Sequence, residues 1–130
     1  MTFFNLNRKR NSDSVCILLV DDDEDWLDLM TIVFKRLGLN PITSINGVDI
    51  WDKINECHPK VILLDIHMDG VDGEKFCELL KTNPATSDIP VLMYSSNQNI
   101  HEVSERCGAN GYIEKSLPPS KVKEKLMQFV

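Results

Sequence analysis

The chain has 130 residues, a length that suits one compact domain. Hydrophobic residues make up 42% of it, which is enough for a buried core and excludes a wholly disordered chain. A net charge of −6 argues against nucleic acid as a partner, because phosphate backbones are bound by Lys- and Arg-rich surfaces. Since no apolar run approaches the ~20 residues that a membrane span needs, we expect no membrane association.

The N-terminal segment MTFFNLNRKRNSDS has an apolar stretch too short for a signal peptide. We expect residues 1–14 to form a flexible arm. The cysteines are scattered without the spacing of a metal site, which predicts reduced thiols in a cytoplasmic protein. They are Cys16, Cys57, Cys77 and Cys107.

From residue 15 onward, apolar runs typical of buried strands alternate with segments of helical periodicity. The predicted strands are residues 15–20, 41–45, 61–64, 90–94 and 111–113. A helical segment follows each strand, and the first of them, from Trp26 to Leu37, ends at Gly38. The second helix is predicted over residues 47–57, with its apolar side chains directed inward at Ile50, Trp51 and Ile54.

Five strands alternating with five helices predict an α/β fold, a doubly wound five-stranded parallel sheet with helices on both faces. The pattern does not fix the strand order, although a flavodoxin-like (βα)5 arrangement suits this length. Ligands of such sheets bind beyond the carboxyl ends of the strands. The residues that follow the predicted strands are therefore the candidates for a functional site.

Polar or charged side chains follow four of the five predicted strands: Asp21 with Asp22, then Asp65, Ser95 and Lys115. Each alone has a structural explanation, because a strand-ending Asp commonly caps a helix or turn and a lysine there is commonly solvated. Together, three carboxylates at one sheet edge would repel one another unless a cation neutralised them. Mg²⁺ prefers oxygen ligands, so the sequence predicts a magnesium site formed by the three aspartates.

This set of groups suits phosphoryl transfer to an aspartate. Mg²⁺ would neutralise charge while a carboxylate oxygen of Asp65 attacks phosphorus in line, which would give an acyl phosphate. Lys115 would balance the remaining charge and contact a phosphoryl oxygen. The hydroxyl of Ser95 would hydrogen-bond another.

Four stretches of the sequence resemble the receiver domains of two-component response regulators: ILLVDDDED, VILLDIHMDGVDG, IPVLMYSS and GANGYIEKS. The resemblance covers residues 15–130 and is to the chemotaxis-type, single-domain members. It implies that Asp21 and Asp22 bind Mg²⁺. It also implies that Asp65 is the phosphoacceptor and that His67 offers its backbone carbonyl to the metal.

The resemblance further implies a conformational switch. Ser95 and Lys115 would contact the phosphoryl group, and Tyr112 would turn into the space that Ser95 vacates. Two packings of the domain would thus exchange population on phosphorylation.

The resemblance assigns the partners as well. A histidine kinase or a phosphotransfer protein would supply the phosphoryl group, and the domain would catalyse only its own phosphorylation and dephosphorylation. A downstream protein would bind the face of the fourth helix, fifth strand and fifth helix, with the domain monomeric or dimeric on phosphorylation. Because the sequence ends with the fifth helix, we expect the signal to leave by protein contact.

The sequence departs from the family pattern at two positions that the family usually fills with proline, here Asp69 and Ser116. The family's lysine–proline bond is typically cis, whereas a non-proline cis bond costs about 2.5–4 kcal/mol. The sequence leaves open whether the bond between Lys115 and Ser116 is cis or trans, and hence where the lysine points. Two variable positions, His67 and Asn97, are candidates for setting the lifetime of the signal.

Three other interpretations stay open at the level of sequence. One is a Mg²⁺-dependent phosphohydrolase, which needs a second acid two residues after its nucleophile; Asp65 lacks one, whereas Asp21 and Asp23 have that spacing. Another is a receiver that binds partners without being phosphorylated. The third is a receiver fragment of a larger regulator or hybrid kinase.

Overall fold

The computed structural model describes residues 15–130, so the predicted arm lies outside the described residues. In chain order the strands are β1 (Cys16–Asp21), β2 (Asn40–Ile45), β3 (Val61–Asp65), β4 (His67–Met68), β5 (Val71–Asp72), β6 (Val91–Ser95) and β7 (Gly111–Glu114). The helices are α1 (Glu24–Arg36), α2 (Ile50–Cys57), α3 (Gly73–Thr82), α4 (Ile100–Arg106) and α5 (Pro119–Leu126). A short 3₁₀ helix, Met127–Phe129, follows α5.

Five strands form one sheet in the order β2-β1-β3-β6-β7, and every neighbouring pair is parallel. The order reverses direction between β1 and β3, which is the switch point of a flavodoxin-like fold. The predicted doubly wound sheet with five helices is confirmed. The fourth and fifth strands predicted from the sequence correspond to β6 and β7.

The central strands are apolar up to their last residues because helices cover both of their faces. Every residue of β1, β3 and β6 is buried. Helices α1 and α5 pack on one face, through side chains such as Phe34 and Val122. Helices α2, α3 and α4 pack on the other, through side chains such as Ile50, Leu80 and Val103. The sheet edge at which the strands end therefore stays open between the two helical layers.

Two helices that follow strand ends begin with an aspartate cap. The Asp23 carboxylate accepts the backbone N–H of Trp26 and so starts α1. Asp72 accepts the backbone N–H groups of Glu74 and Lys75 and starts α3. These caps start the two helices directly after β1 and after the β4–β5 hairpin.

The structure differs from the sequence prediction in three local features. Helix α2 begins at Ile50 rather than residue 47, because Gly47 adopts a positive φ of 70° in a turn. Trp51, predicted to face inward, is 38% exposed. The antiparallel pair β4 and β5 was not predicted, since each strand has only two residues.

The structure also bears on two expectations from composition. All four cysteines are free thiols, and three of them are buried. Among residues 15–130, none of the helices combines the length and the apolar character that crossing a bilayer requires.

Candidate functional site

The carboxylates of Asp21, Asp22 and Asp65 meet at the carboxyl end of the sheet. Asp21 ends β1 and Asp65 ends the neighbouring strand β3, so the sheet itself brings them together. Oxygen atoms from the three side chains lie within 4.8 Å of one another. Asp21 and Asp65 are buried, whereas Asp22 is exposed. This all-oxygen set, open on one side, fits a hard divalent cation such as Mg²⁺ that keeps several of its waters.

Lys115 supplies the positive charge closest to these acids. Its Nζ lies 3.0 Å from Asp21 Oδ2 and 3.6 Å from Asp65 Oδ1. The backbone N–H of Lys115 donates to the carbonyl of Ser95, which anchors the loop after β7 to the end of β6. The bond between Lys115 and Ser116 is trans. Lys115 thus faces the acids although the residue that follows it is serine rather than proline.

Asp65 is an aspartate with an unusually high proton affinity. Burial is the largest cause that raises its pKa, followed by the neighbouring charge of Asp21 and, less strongly, that of Asp22, and the resulting pKa is about 7. The Lys115 ammonium and the backbone N–H of His67 act in the opposite direction and lower the pKa. A cation that binds beside Asp65 would favour the ionised carboxylate, which is the nucleophilic form.

Ser95 ends β6, the strand next to Asp65. It is buried, and its hydroxyl oxygen accepts the backbone N–H of Asn97 at 3.0 Å. Within residues 15–130 the hydroxyl proton has no acceptor, so it is free to donate to an incoming oxygen.

The loop after β3 reaches back to the acid cluster. The backbone N–H of Asp69 donates to Asp22 Oδ2 at 2.9 Å. A proline at this position would lack the donor. The hydrogen bond orients the exposed carboxylate of the cluster, a contribution that the sequence did not predict. His67 opens the same hairpin with an exposed side chain, and its carbonyl remains a predicted metal ligand.

Tyr112 lies on β7 and faces the same side of the sheet as Ser95. Its register partner on β6 is Met93, and that of Ser95 is Glu114. The ring is half-buried, 5.3 Å from the ring of His101 on α4, and Lys125 on α5 places its Nζ 5.7 Å away. Tyr112, the predicted switch residue, therefore lies on the face formed by α4, β7 and α5.

Two aromatic residues lie at the site, although the sequence pattern assigned neither of them a role in it. Tyr94 pairs with Asp65 across the sheet and is buried, and the ring of Trp26 on α1 stacks on it with 5.9 Å between centroids. Lys115 Nζ lies over both rings. The alternation of side chains along β6 was the available signal, because Leu92 and Tyr94 are two residues apart and therefore face the same side of the sheet.

Gly73 is a third residue near the site to which the sequence pattern assigned no role. It begins α3, and a Cβ built on it would lie 2.2 Å from the carbonyl oxygen of Asp65 and 2.6 Å from that of Ile66. Only glycine lets α3 start so close to the backbone of the phosphorylation candidate.

Known proteins resemble this chain in both sequence and fold. A family model described as the response regulator receiver domain matches residues 17–127. Protein PilG of Pseudomonas aeruginosa is 31% identical over 109 residues, which cover 82% of this chain and 81% of PilG. The DNA-binding response regulator MtrA of Mycobacterium tuberculosis is 29% identical over 108 residues, which cover 82% of this chain but 46% of MtrA.

The fold itself has close counterparts among solved structures. The chemotaxis protein CheY4 of Vibrio cholerae matches with a TM-score of 0.79 over 89% of this chain and 98% of CheY4, at 19% identity. That likeness concerns the fold, whereas the family model and PilG concern the sequence as well. The chain belongs to the receiver domain family of response regulators in two-component systems.

Proposed function

We propose that this domain accepts a phosphoryl group on Asp65 and passes the signal to a partner protein by changing its shape. The observation that carries the proposal is the convergence of three aspartates and one lysine at one end of the sheet, with Lys115 Nζ 3.6 Å from Asp65 Oδ1. Membership of the receiver family supports it. The phosphoryl donor we propose is a histidine kinase or a phosphotransfer protein carrying phosphohistidine.

In the transfer, a carboxylate oxygen of Asp65 forms a bond to phosphorus while the P–N bond of the donor histidine breaks. The released imidazole takes up a proton from solvent. Later, water attacks phosphorus and the P–O bond to Asp65 breaks, which releases the carboxylate, inorganic phosphate and a proton to solvent. Because both reactions occur on the domain's own side chain, we propose that it is not an enzyme acting on external substrates.

Receiver domains generally bind Mg²⁺ at an acidic site, and this chain has such a cluster. We propose that Asp21, Asp22, Asp65 and the His67 carbonyl hold the ion. When bound, Mg²⁺ supplies charge neutralisation for the phosphoryl oxygens.

Two further side chains would act on the phosphoryl group itself. The Lys115 ammonium, now 3.0 Å from Asp21 Oδ2, would contact one phosphoryl oxygen. The free hydroxyl of Ser95 would donate a hydrogen bond to another phosphoryl oxygen. Movement of Ser95 toward Asp65 leaves space on the face that Tyr112 shares, and we propose that Tyr112 rotates into it.

The output would then leave by the α4–β7–α5 face. Tyr112 lies there between His101 and Lys125, so its rotation changes the contacts of both helices. We propose a protein partner at this face, in the cytoplasm, with residues 15–130 acting as one receiver unit. The cognate kinase and target are to be found by experiment.

The test is phosphorylation by acetyl phosphate in the presence of Mg²⁺, followed by mass spectrometry of the intact protein. The expected result is a gain of one phosphoryl group that disappears in Asp65→Asn and on addition of EDTA. Asp69→Asn, which changes an acid outside the cluster, should still be modified. A wild-type protein that gains no mass would overturn the proposal.

No observation favours the phosphohydrolase. The position two residues after Asp65 is His67, and the only acid at that spacing from Asp21 is Asp23, whose carboxylate is engaged in capping α1. The comparisons give that interpretation no support.

A further inference from the structure

We propose that Trp26 and Tyr94 are positioning residues that hold the ammonium group of Lys115 against Asp21 and Asp65. The inference deepens the proposed phosphoacceptor function and rests on it. It starts from the path of the Lys115 side chain, which must cross from the loop after β7 to the ends of β1 and β3.

The rings of Trp26 and Tyr94 lie together beside the end of the Lys115 side chain. Their planes are inclined by 26° and their centroids are 5.9 Å apart, so Trp26 and Tyr94 are stacked. Lys115 Nζ lies 5.4 Å from the centroid of Tyr94 and 5.8 Å from that of Trp26. Both distances fall within the ~6 Å at which an ammonium group is attracted to an aromatic face.

The sheet explains why Tyr94 is in this place. Tyr94 is the register partner of Asp65 on β3 and of Ile113 on β7. Paired residues of neighbouring strands face the same side of a sheet, so the tyrosine ring lies beside the Asp65 carboxylate. Trp26 reaches the same point from the first turn of α1, where its backbone N–H is fixed by the Asp23 cap.

Burial makes the contact effective. The Lys115 side chain is 26% exposed, and the carboxylates it faces are 3% and 5% exposed. A long side chain with this little solvent contact gains from apolar surface along its methylene groups and from ring faces near its charge. With the rings removed, the lysine would be free to turn toward water, away from the acids.

The Tyr94 hydroxyl is buried and has no hydrogen-bond partner among residues 15–130. Burial, followed by the charges of Asp21 and Asp65, raises the pKa of this phenol, which keeps it neutral. A tyrosine whose hydroxyl is unused contributes to the site through its ring. This agrees with a positioning role rather than with proton transfer.

The first test is structural and does not need phosphorylation. Ring currents of Trp26 and Tyr94 should shift the Lys115 ε-methylene protons upfield in NMR spectra of the full chain. The shift should decrease in Tyr94→Leu and in Trp26→Leu, and persist in Phe34→Leu. Phe34 is the matched control, because it is a buried aromatic of α1 in the same core cluster without contact to the lysine.

The second test is a double-mutant cycle on the initial rate of phosphorylation by acetyl phosphate at saturating Mg²⁺. Tyr94→Leu should slow the reaction about 3- to 30-fold, as the loss of one cation–π contact implies. Tyr94→Phe, which keeps the ring, should rescue most of this loss. In a Lys115→Met background Tyr94→Leu should have no further effect, because the rings act through the lysine.

Equal losses in both backgrounds would show a merely structural role for the ring and would overturn the inference. If Tyr94→Leu does not fold, Trp26→Leu, at a half-buried position near the start of α1, serves in the same cycle. If the wild-type protein is not phosphorylated at all, the proposed function fails, whereas the methylene shifts still decide whether the rings hold Lys115.

Discussion

Lys115 and Asp21 form an ion pair at the open end of the sheet, with 3.0 Å between Nζ and Oδ2, although the residue after the lysine is serine. The pair joins the loop after β7 to the end of β1, across two intervening strands. It also brings the ammonium within 3.6 Å of Asp65, so the charge state of one residue affects the other two.

Replacing this lysine should raise the proton affinity of Asp65. Burial and the charge of Asp21 raise the Asp65 pKa, the Lys115 ammonium lowers it, and with all of these the pKa is about 7. Lys115→Gln is therefore expected to move the pKa of Asp65 upward in metal-free protein, as measured from the ¹³C shift of its carboxyl carbon. Lys121→Gln, which alters an exposed lysine paired with Glu124, is the control and should leave the titration unchanged.

The metal-free protein should lose stability as the pH rises from about 4 to 7. The folded-state pKa of Asp65, about 7, exceeds its ordinary value, so the folded state holds a proton in this range that the unfolded state has released. The contribution of Asp65 is fully present below pH 4 and lost above pH 7. The expected loss is about 2–4 kcal/mol of unfolding free energy.

Urea unfolding of wild type and Asp65→Asn across this range measures the effect. The amide has no proton to lose, so the variant should be the more stable protein at pH 8 in EDTA. Saturating Mg²⁺ should reduce the difference in unfolding free energy between the two proteins, because a cation that binds only the folded, ionised wild type stabilises it by mass action. Parallel pH profiles for the two proteins would contradict the assignment of the raised pKa to Asp65.

Removing the Tyr94 hydroxyl should stabilise the fold. The hydroxyl is buried without a hydrogen-bond partner among the described residues, and such a group costs about 1–3 kcal/mol to desolvate. Tyr94→Phe keeps the stacked ring and is expected to raise the free energy of unfolding by about 1 kcal/mol. A lower melting temperature for Tyr94→Phe than for the wild type, measured by calorimetry, would contradict this prediction.

Gly73 should not accept a side chain. A Cβ there would lie 2.2 Å from the Asp65 carbonyl oxygen, so either α3 or the end of β3 must move. Gly73→Ala is expected to cost about 1–3 kcal/mol, despite the better helix propensity of alanine. It should also slow the proposed phosphorylation of Asp65, because the backbone of that residue shifts. Glu78→Ala, at an exposed position of the same helix, is the control and should leave both quantities near wild type.

The sequence predicts much of the fold because hydrophobic periodicity is a local property. The runs at 15–20 and 61–64 mark strands covered on both faces, and the structure has β1 and β3 there. Strand order and register depend on contacts between distant segments, so the pattern alone could not give the pairing of Asp65 with Tyr94. Trp51 shows the limit within a helix, because apolar character does not state which face is buried.

The candidate site was likewise predictable in its local features and not in its contacts between distant segments. Aspartates and a lysine after strands were identifiable as candidates, since parallel strands end at one edge. The hydrogen bond from Asp69 to Asp22 was not, because it joins residues 47 apart through backbone geometry. Nor was the contact of Lys115 with Trp26, which depends on where α1 packs against the sheet.

The stacking of Trp26 on Tyr94 also gives the domain an optical probe of its own. Indole emission depends on the electric field around the ring, and this ring lies 5.8 Å from a lysine that faces the acid cluster. The other tryptophan, Trp51, is on α2 and more accessible to a soluble quencher. In iodide solution the residual emission is therefore weighted toward Trp26. Occupancy of the acid cluster can then be followed continuously, in unlabelled protein, on the timescale of stopped flow.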